Sequence, residues 1–187
     1  MHRSAHPATT ALAALALACV LAGTAAQANE APSALAGAQL AGQGTLRFFG
    51  FEVYRARLWV RPGFDAADYA AHPLALELTY LRDFSAEAIA KRSIQEMRRV
   101  GRFSPEQATR WQAQLQAALP DVKAGDRLTG VYTPGGSAVF VMGGRTVGEV
   151  VDPEFARLFF GIWLSPQTSE PALRQSLIAL TRPAGAP

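Results

Sequence analysis

The side chains best equipped to grip a charged or polar group cluster in one alternating run. Residues 51–60 read FEVYRARLWV, and Arg47 stands just before them in GTLRFFG. An arginine presents five donors in a planar fork that matches a carboxylate or an oxyanion. A tyrosine presents an apolar ring with one hydroxyl that needs a partner when buried. Side by side on a strand, the two could fix the polar end of a bound molecule. They could equally stabilise negative charge that moves between oxygens during a reaction. Strand alternation divides the run into Phe51, Val53, Arg55, Arg57, Trp59 and Glu52, Tyr54, Ala56, Leu58, Val60. The even set is the natural inward face, with small Ala56 leaving room for a helix or a ligand. On that reading Tyr54 faces the core, and Arg55 and Arg57 are solvated. The alternative is a cleft lined by Phe51, Val53, Arg57 and Trp59, in which arginine meets a carboxylate.

Other chemistries are poorly supplied. Residues 1–28 combine Arg3, the apolar run ALAALALACVLAG and the triplet Ala26-Gln27-Ala28, the three parts of a secretory signal peptide. The apolar run is short of the roughly 20 residues of a membrane span. Cleavage is expected after Ala28, giving a periplasmic or secreted protein. Cys19 could instead be a lipidation site, although Val20 and Leu21 continue the apolar core past it. Removal of 1–28 takes away the sole cysteine and all histidines but His72, which precedes a proline in a loop. No thiol chemistry remains, zinc has too few ligands, and no cofactor or metal is expected. The charge that remains, 17 basic against 15 acidic residues, leaves no nucleic-acid footprint.

The elements that must position these residues follow from periodicity and turn chemistry. GTLRFFG (44–50), FEVYRARLWV (51–60) and LALELTYL (74–81) read as strands, with RPGFDAADYAAHP as a connection holding about one helical turn. DRLTGVYT (126–133), SAVFVMG (137–143) and RTVGEVV (145–151) form a second group, separated by Pro134-Gly135-Gly136 and Gly143-Gly144, both hairpin-closing. Two helices lie between the groups: 85–100, with Ile89, Ser93, Met97 and Val100 on one stripe, and 104–119, opened by the capping box Ser104-Pro105-Glu106-Gln107. DPEFARLFFGIWL starts with Asp152 as cap and is apolar nearly all round, which predicts deep burial. SEPALRQSLIAL is expected to cap at Ser169. Strand runs alternating with helix runs predict an α+β fold, a large antiparallel sheet with helices packed on one face. One domain is expected over 43–181, after a weakly structured leader (29–42) that joins the sheet near its end, and before a tail (182–187).

Taken in order from about Gly42 to Leu180, the stretches GQGTLRFFGFEVYRARLWV, LELTYLRDFSAEAIAKRS, KAGDRLTGVYTPGGSAVFVMGGRTVGEVVDPEFARLFFGIWLSP and LRQSLIAL resemble the bacterial secreted chalcone isomerase-like family. The resemblance implies one large antiparallel sheet and a ligand cleft between sheet and helices. Its founding plant enzymes cyclise a chalcone to a flavanone. In them an arginine near the start of the first long strand holds the oxyanion, and a threonine, a tyrosine and an asparagine orient water and substrate. The arginine maps to Leu46 or, with a slip of one residue, to Arg47. The other positions fall near Tyr54, Phe84, Lys91 and, for a late Ser/Thr, Gly161 or Ile162, where the residue types differ. Non-catalytic relatives of the fold use an arginine and a tyrosine to bind fatty acids.

The resulting expectation is a non-catalytic binder of a small apolar or amphipathic, fatty-acid-like molecule. Its expected ligand-binding residues are Tyr54, Arg47, Arg57, Trp59, Phe159 and Trp163. Two alternatives stand beside it. One is an isomerase of chalcone isomerase type with Arg47 and Tyr54 as catalytic candidates. The other is an envelope interaction module using the basic run Lys91, Arg92, Arg98, Arg99 and Arg102 against a partner or anionic lipid. Tyr80 and Tyr132 are weaker versions of Tyr54, and Arg82-Asp83 reads as a local ion pair with a helix cap.

Overall fold

Each turn signal closes a hairpin, and the result is a meander. A computed structural model describes residues 32–181; the expected signal segment with Cys19 and the tail 182–187 lie outside the described residues. Six strands pair antiparallel in sequence order: β1 (Gln39–Phe48), β2 (Phe51–Val60), β3 (Leu74–Tyr80), β4 (Arg127–Tyr132), β5 (Ala138–Met142) and β6 (Arg145–Val150). A kinked 3-10 segment, Ala66–Ala71, links β2 to β3. Two helices, α1 (Ala86–Val100) and α2 (Pro105–Ala118), link β3 to β4, and α3 (Pro153–Leu164) and α4 (Pro171–Leu177) follow β6. This is the expected α+β arrangement.

Caps set the helix starts. Ser85 Oγ accepts from the Ala88 amide, and Ser104 and Gln107 form the reciprocal capping box; each such cap contributes about 1 kcal/mol. Asp152 accepts from the amides of Glu154 and Phe155, and also from Trp111 Nε1 at 2.7 Å, which ties α2 to the start of α3. The expected cap at Ser169 is not formed. The helix starts at Pro171, with Glu170 at the cap position and no side-chain bond, and Thr168 Oγ1 accepts from the Glu170 amide just before it.

Helix α3 is the centre of the core. Phe155, Leu158, Phe160 and Leu164 are essentially inaccessible, and the helix packs on β4 and β5 while α1 packs on α2 and α3. Glycines set how closely the outer helices approach. A Cβ on Gly148 of β6 would lie 2.2 Å from the Ala118 carbonyl of α2, and one on Gly42 of β1 would lie 2.2 Å from the Ser176 carbonyl of α4. The first strand therefore begins at Gln39 rather than Gly44. Its small residues are a docking floor for α4, held also by the Leu180 amide donating to the Ala41 carbonyl at 2.8 Å.

The opposite sheet face is also covered. Leu35, Trp59, Ala75 and Val131 form a second apolar cluster, with Ala38 and Leu40 packed on it. Arg57 belongs to this face. Its side chain is only 13% exposed, pairs with buried Glu77 at 3.5 Å and stands 5.0 Å above the Trp59 ring. The even residues Ala56, Leu58 and Val60 face the main core, as alternation predicts, but Arg57 is not the solvated bystander expected of it.

Candidate functional site

Alternation fails at one residue of β2, and the site depends on that failure. Pairing runs Leu46 with Tyr54 and then Arg47 with Glu52, so Val53 is an extra residue, a β-bulge. Beyond a bulge the alternation is offset by one. Phe51 and Val53 thus join Tyr54, Leu46 and Phe48 along a single cavity, instead of sharing a face with Arg57 and Trp59. Arg47 alternates with Leu46 and Phe48 on β1 and so faces the other side of the hairpin, where the offset brings Glu52 to it, and its side chain is 64% exposed.

The cavity measures about 720 Å³ and lies between the sheet and α1 and α3, within the range of small-molecule pockets. Strand register orders its walls. Tyr54 pairs with Tyr80, and further along β3 come Leu78 and Leu76, then Gly130 of β4 beside Leu76 and Phe140 of β5 beside Gly130. With Phe159 and Phe160 of α3, these make an apolar floor. Toward the other end the lining passes Phe84, Ile89 and Ser93 to a mouth formed by Phe48, Phe49, Phe51, Arg82 and Arg92.

Between floor and mouth stands a pair of phenols. Tyr54 Oη accepts from Trp163 Nε1 at 2.9 Å, and its ring meets that of Tyr80 edge-on at 6.1 Å. The Tyr80 side chain is buried, and its hydroxyl has no hydrogen-bond partner among the described residues. Burial pushes both phenols well above the ordinary tyrosine range. For Tyr54 the Trp163 bond opposes this and the charges of Tyr80, Glu170 and Glu96 add to it. Both are hydroxyl donors throughout the neutral range. They can donate to an acceptor oxygen, and burial disfavours their own ionisation.

The residues singled out in sequence thus separate. Tyr54, Phe159 and Trp163 line the cavity together; Arg47, Arg57 and Trp59 do not. Arg47 lies between inward Leu46 and Phe48 on β1 and faces away, and Arg57 and Trp59 are structural members of the opposite face. The catalytic candidates Arg47 and Tyr54 do not meet. The local Arg82-Asp83 pair is absent too: Arg82 stands over the Phe51 ring at 4.9 Å, while Asp83 accepts from the Ala124 amide and pairs with Lys123 at 3.7 Å. Tyr132 is used locally, donating to the Ala70 carbonyl at 2.9 Å. Sequence reading underweighted Tyr80 and Arg82, and it offered Phe51 and Val53 to a cleft only together with Arg57 and Trp59, since a strict period of two keeps those four on one face. No group of three His, Cys, Asp or Glu that could hold a metal occurs among the described residues.

The comparisons agree with this architecture. A family model described as chalcone isomerase-like matches residues 23–179, and the chain belongs to that family. The fold is shared with a crystal structure of an Arabidopsis thaliana fatty-acid binding protein, at 11% identity and a TM-score of 0.60, over 80% of this chain and 90% of that one. No curated protein gives a significant match.

Proposed function

We propose that the protein is a non-catalytic binder of a small amphipathic, fatty-acid-like molecule, carried in the cavity between sheet and helices. The observation that carries this reading is the order of the walls: an apolar floor, then two phenolic donors, then the mouth. A chain lying along Leu78, Leu76 and Phe140 would bring its polar end to Tyr54 and Tyr80. The fatty-acid binding protein of the same fold is consistent with this. The phenols suit an acceptor oxygen as the head (an acid, an ester or another carbonyl); Glu96 and Glu170 line the same cavity, but so do Arg82 and Arg92, and Glu96 is paired with Arg92. The isomerase reading requires a cation beside the phenol on the first long strand, and Arg47 stands on the other side of that hairpin. Export to the periplasm or the medium is part of the proposal and rests on the pattern of residues 1–28.

The test is native mass spectrometry of the protein taken gently from its own source, before and after organic extraction, followed by addition of long-chain acids and their methyl esters. A defined mass lost on extraction and regained with one of these compounds is the expected result. A clean unliganded mass that none of them shifts would refute the reading.

A further inference from the structure

The β1–β2 hairpin ends in an aromatic tip that the fold itself does not use. Phe48, Phe49 and Phe51 are 51%, 85% and 61% exposed, and the rings of Phe48 and Phe49 meet edge-on at 4.5 Å. The turn is two residues long, Phe49 and Gly50, with φ of 48° and 81°, the signs of a type I′ hairpin. Glycine adopts that conformation freely, but a residue with a side chain does so only at a cost. Phe49 bears that cost with its ring in solvent, so folding gains nothing from its being phenylalanine.

Cations frame the tip. Arg82 stands 4.9 Å over the Phe51 ring and Arg92 5.7 Å over the Phe48 ring, and Lys91 is exposed beside Arg92. The nearby acids are already engaged: Glu52 with Arg47, Asp83 with Lys123, and Glu96 with Arg92 and Arg99. Glu170 is the one lining carboxylate without an ion pair among the described residues, and Arg82 is likewise without one. The three rings expose on the order of 400 Å², about half of what one side of a standard protein–protein interface buries. A small convex tip of rings flanked by arginines suits a surface that needs no matching shape. Rings can enter the boundary between headgroups and acyl chains while cations meet phosphate.

We propose that this hairpin is a lipid-docking element. Phe48, Phe49 and Phe51 enter the surface of a bilayer containing anionic lipid, Arg82 and Arg92 hold its phosphates, and the cavity mouth, which these same residues form, opens onto the membrane. The proposal stands on the hairpin alone and does not require the cavity to bind anything.

The test reads the hairpin directly, so that the apolar segment near the N-terminus cannot stand in for it. In the full chain carrying Cys19→Ser, a single cysteine is introduced by Phe49→Cys, or by Thr133→Cys at the opposite end of the sheet, and labelled with an environment-sensitive dye. Vesicles of phosphatidylcholine, with or without phosphatidylglycerol, whose negative surface potential attracts basic residues, are added with and without acyl-chain quenchers. The dye at position 49 is expected to brighten several-fold on anionic vesicles and to be quenched from the upper acyl chain, while the dye at position 133 stays aqueous. Phe48→Ser with Phe51→Ser should weaken the response at position 49 at least tenfold. The proposal is overturned if position 49 stays aqueous, if both positions respond alike, or if position 49 brightens without lipid in step with dimer formation in sedimentation, which would make the tip a self-association surface. Loss of this response with ligand uptake from solution intact would remove the docking reading alone. Docking with no uptake would remove the binding reading alone.

Discussion

Replacing the two cavity phenols one at a time separates holding the fold from holding a ligand. Tyr54→Phe takes the acceptor from Trp163 Nε1–H, now bonded at 2.9 Å. A buried donor left without a partner costs about 1–3 kcal/mol. The indole borders a cavity that offers it some other contact, so the lower half of that range applies, roughly 1–2 kcal/mol. For a domain of this size each kcal/mol moves the melting temperature by about 2–4 °C, and a fall of about 2–8 °C is expected. Tyr80→Phe breaks no hydrogen bond among the described residues. It removes a buried hydroxyl that the fold leaves unused, and the melting temperature of the unliganded protein should hold within about 2 °C or rise slightly.

Ligand affinity should show the reverse emphasis. If the Tyr80 hydroxyl donates to the ligand head, its loss should weaken an ester-headed chain by about 0.5–1.5 kcal/mol, roughly three- to tenfold. The alkane of equal length should be unaffected. The assays are thermal unfolding of extracted protein and displacement of a fluorescent apolar probe by the ester and by the alkane. The reasoning fails if Tyr80→Phe lowers the unliganded melting temperature as much as Tyr54→Phe does, since the hydroxyl would then have a structural partner. It fails equally if ester affinity does not change.

Three further outcomes are expected. All four tyrosines have raised proton affinity, Tyr69 up to about 12 and the others upward, each chiefly by burial. A raised tyrosine pKa makes the native state bind more protons than the unfolded one in alkali. The associated stability is whole below about pH 10 and is lost as pH rises above it. Tyrosinate absorbance should therefore appear in one cooperative step together with unfolding, and a gradual titration centred near pH 10 in folded protein would contradict this. Arg57→Ala deprives buried Glu77 of one partner and leaves it the more exposed Arg127 at 3.7 Å; about 3 kcal/mol of stability should be lost in urea unfolding, with ligand affinity unchanged, and a selective loss of affinity would return Arg57 to the site. Gly148→Ala would force a methyl toward the Ala118 carbonyl and should cost at least about 1–3 kcal/mol by prising α2 from β6, whereas a neutral result would mean that α2 is free to shift.

How far the sequence reveals this molecule depends on whether a feature is local. The capping box at Ser104 and Gln107, the Asp152 cap and the all-round apolar α3 are set by neighbouring residues, and each is where its pattern predicts. The start of β1 was obscured because its glycines serve a helix more than 130 residues later; a close approach between backbones leaves only small side chains behind, which resemble a leader. The bulge at Val53 is harder still. One extra residue carries no composition of its own, yet it reverses the faces of everything before it in the strand. It therefore decides that Phe51 lines the cavity and Glu52 does not, whereas Arg47 faces away simply because it alternates with Leu46 and Phe48 on β1. The Tyr54–Trp163 bond joins residues 109 apart in sequence. Each aromatic was recognisable as a candidate, but only the packing of α3 on the sheet brings them together.

The bulge also bears on what this member of the chalcone isomerase-like family can do. The founding enzymes of the family are expected to hold their oxyanion with an arginine, a donor already aimed at the charge as it forms in an apolar site. Here the arginine of β1 leans outward on Glu52, and the buried arginine of β2 is bound to Glu77 behind the sheet. What remains inside are two protonated phenols, an indole N–H already shared with one of them, and a hydrocarbon floor. Such a set can hold an uncharged acceptor in place but supplies no cation to an enolate. The cations that do border the cavity, Arg82 and Arg92, stand at its mouth among exposed rings. There they are placed to meet whatever the mouth faces, and under the proposed function the mouth would admit an apolar cargo to the phenols.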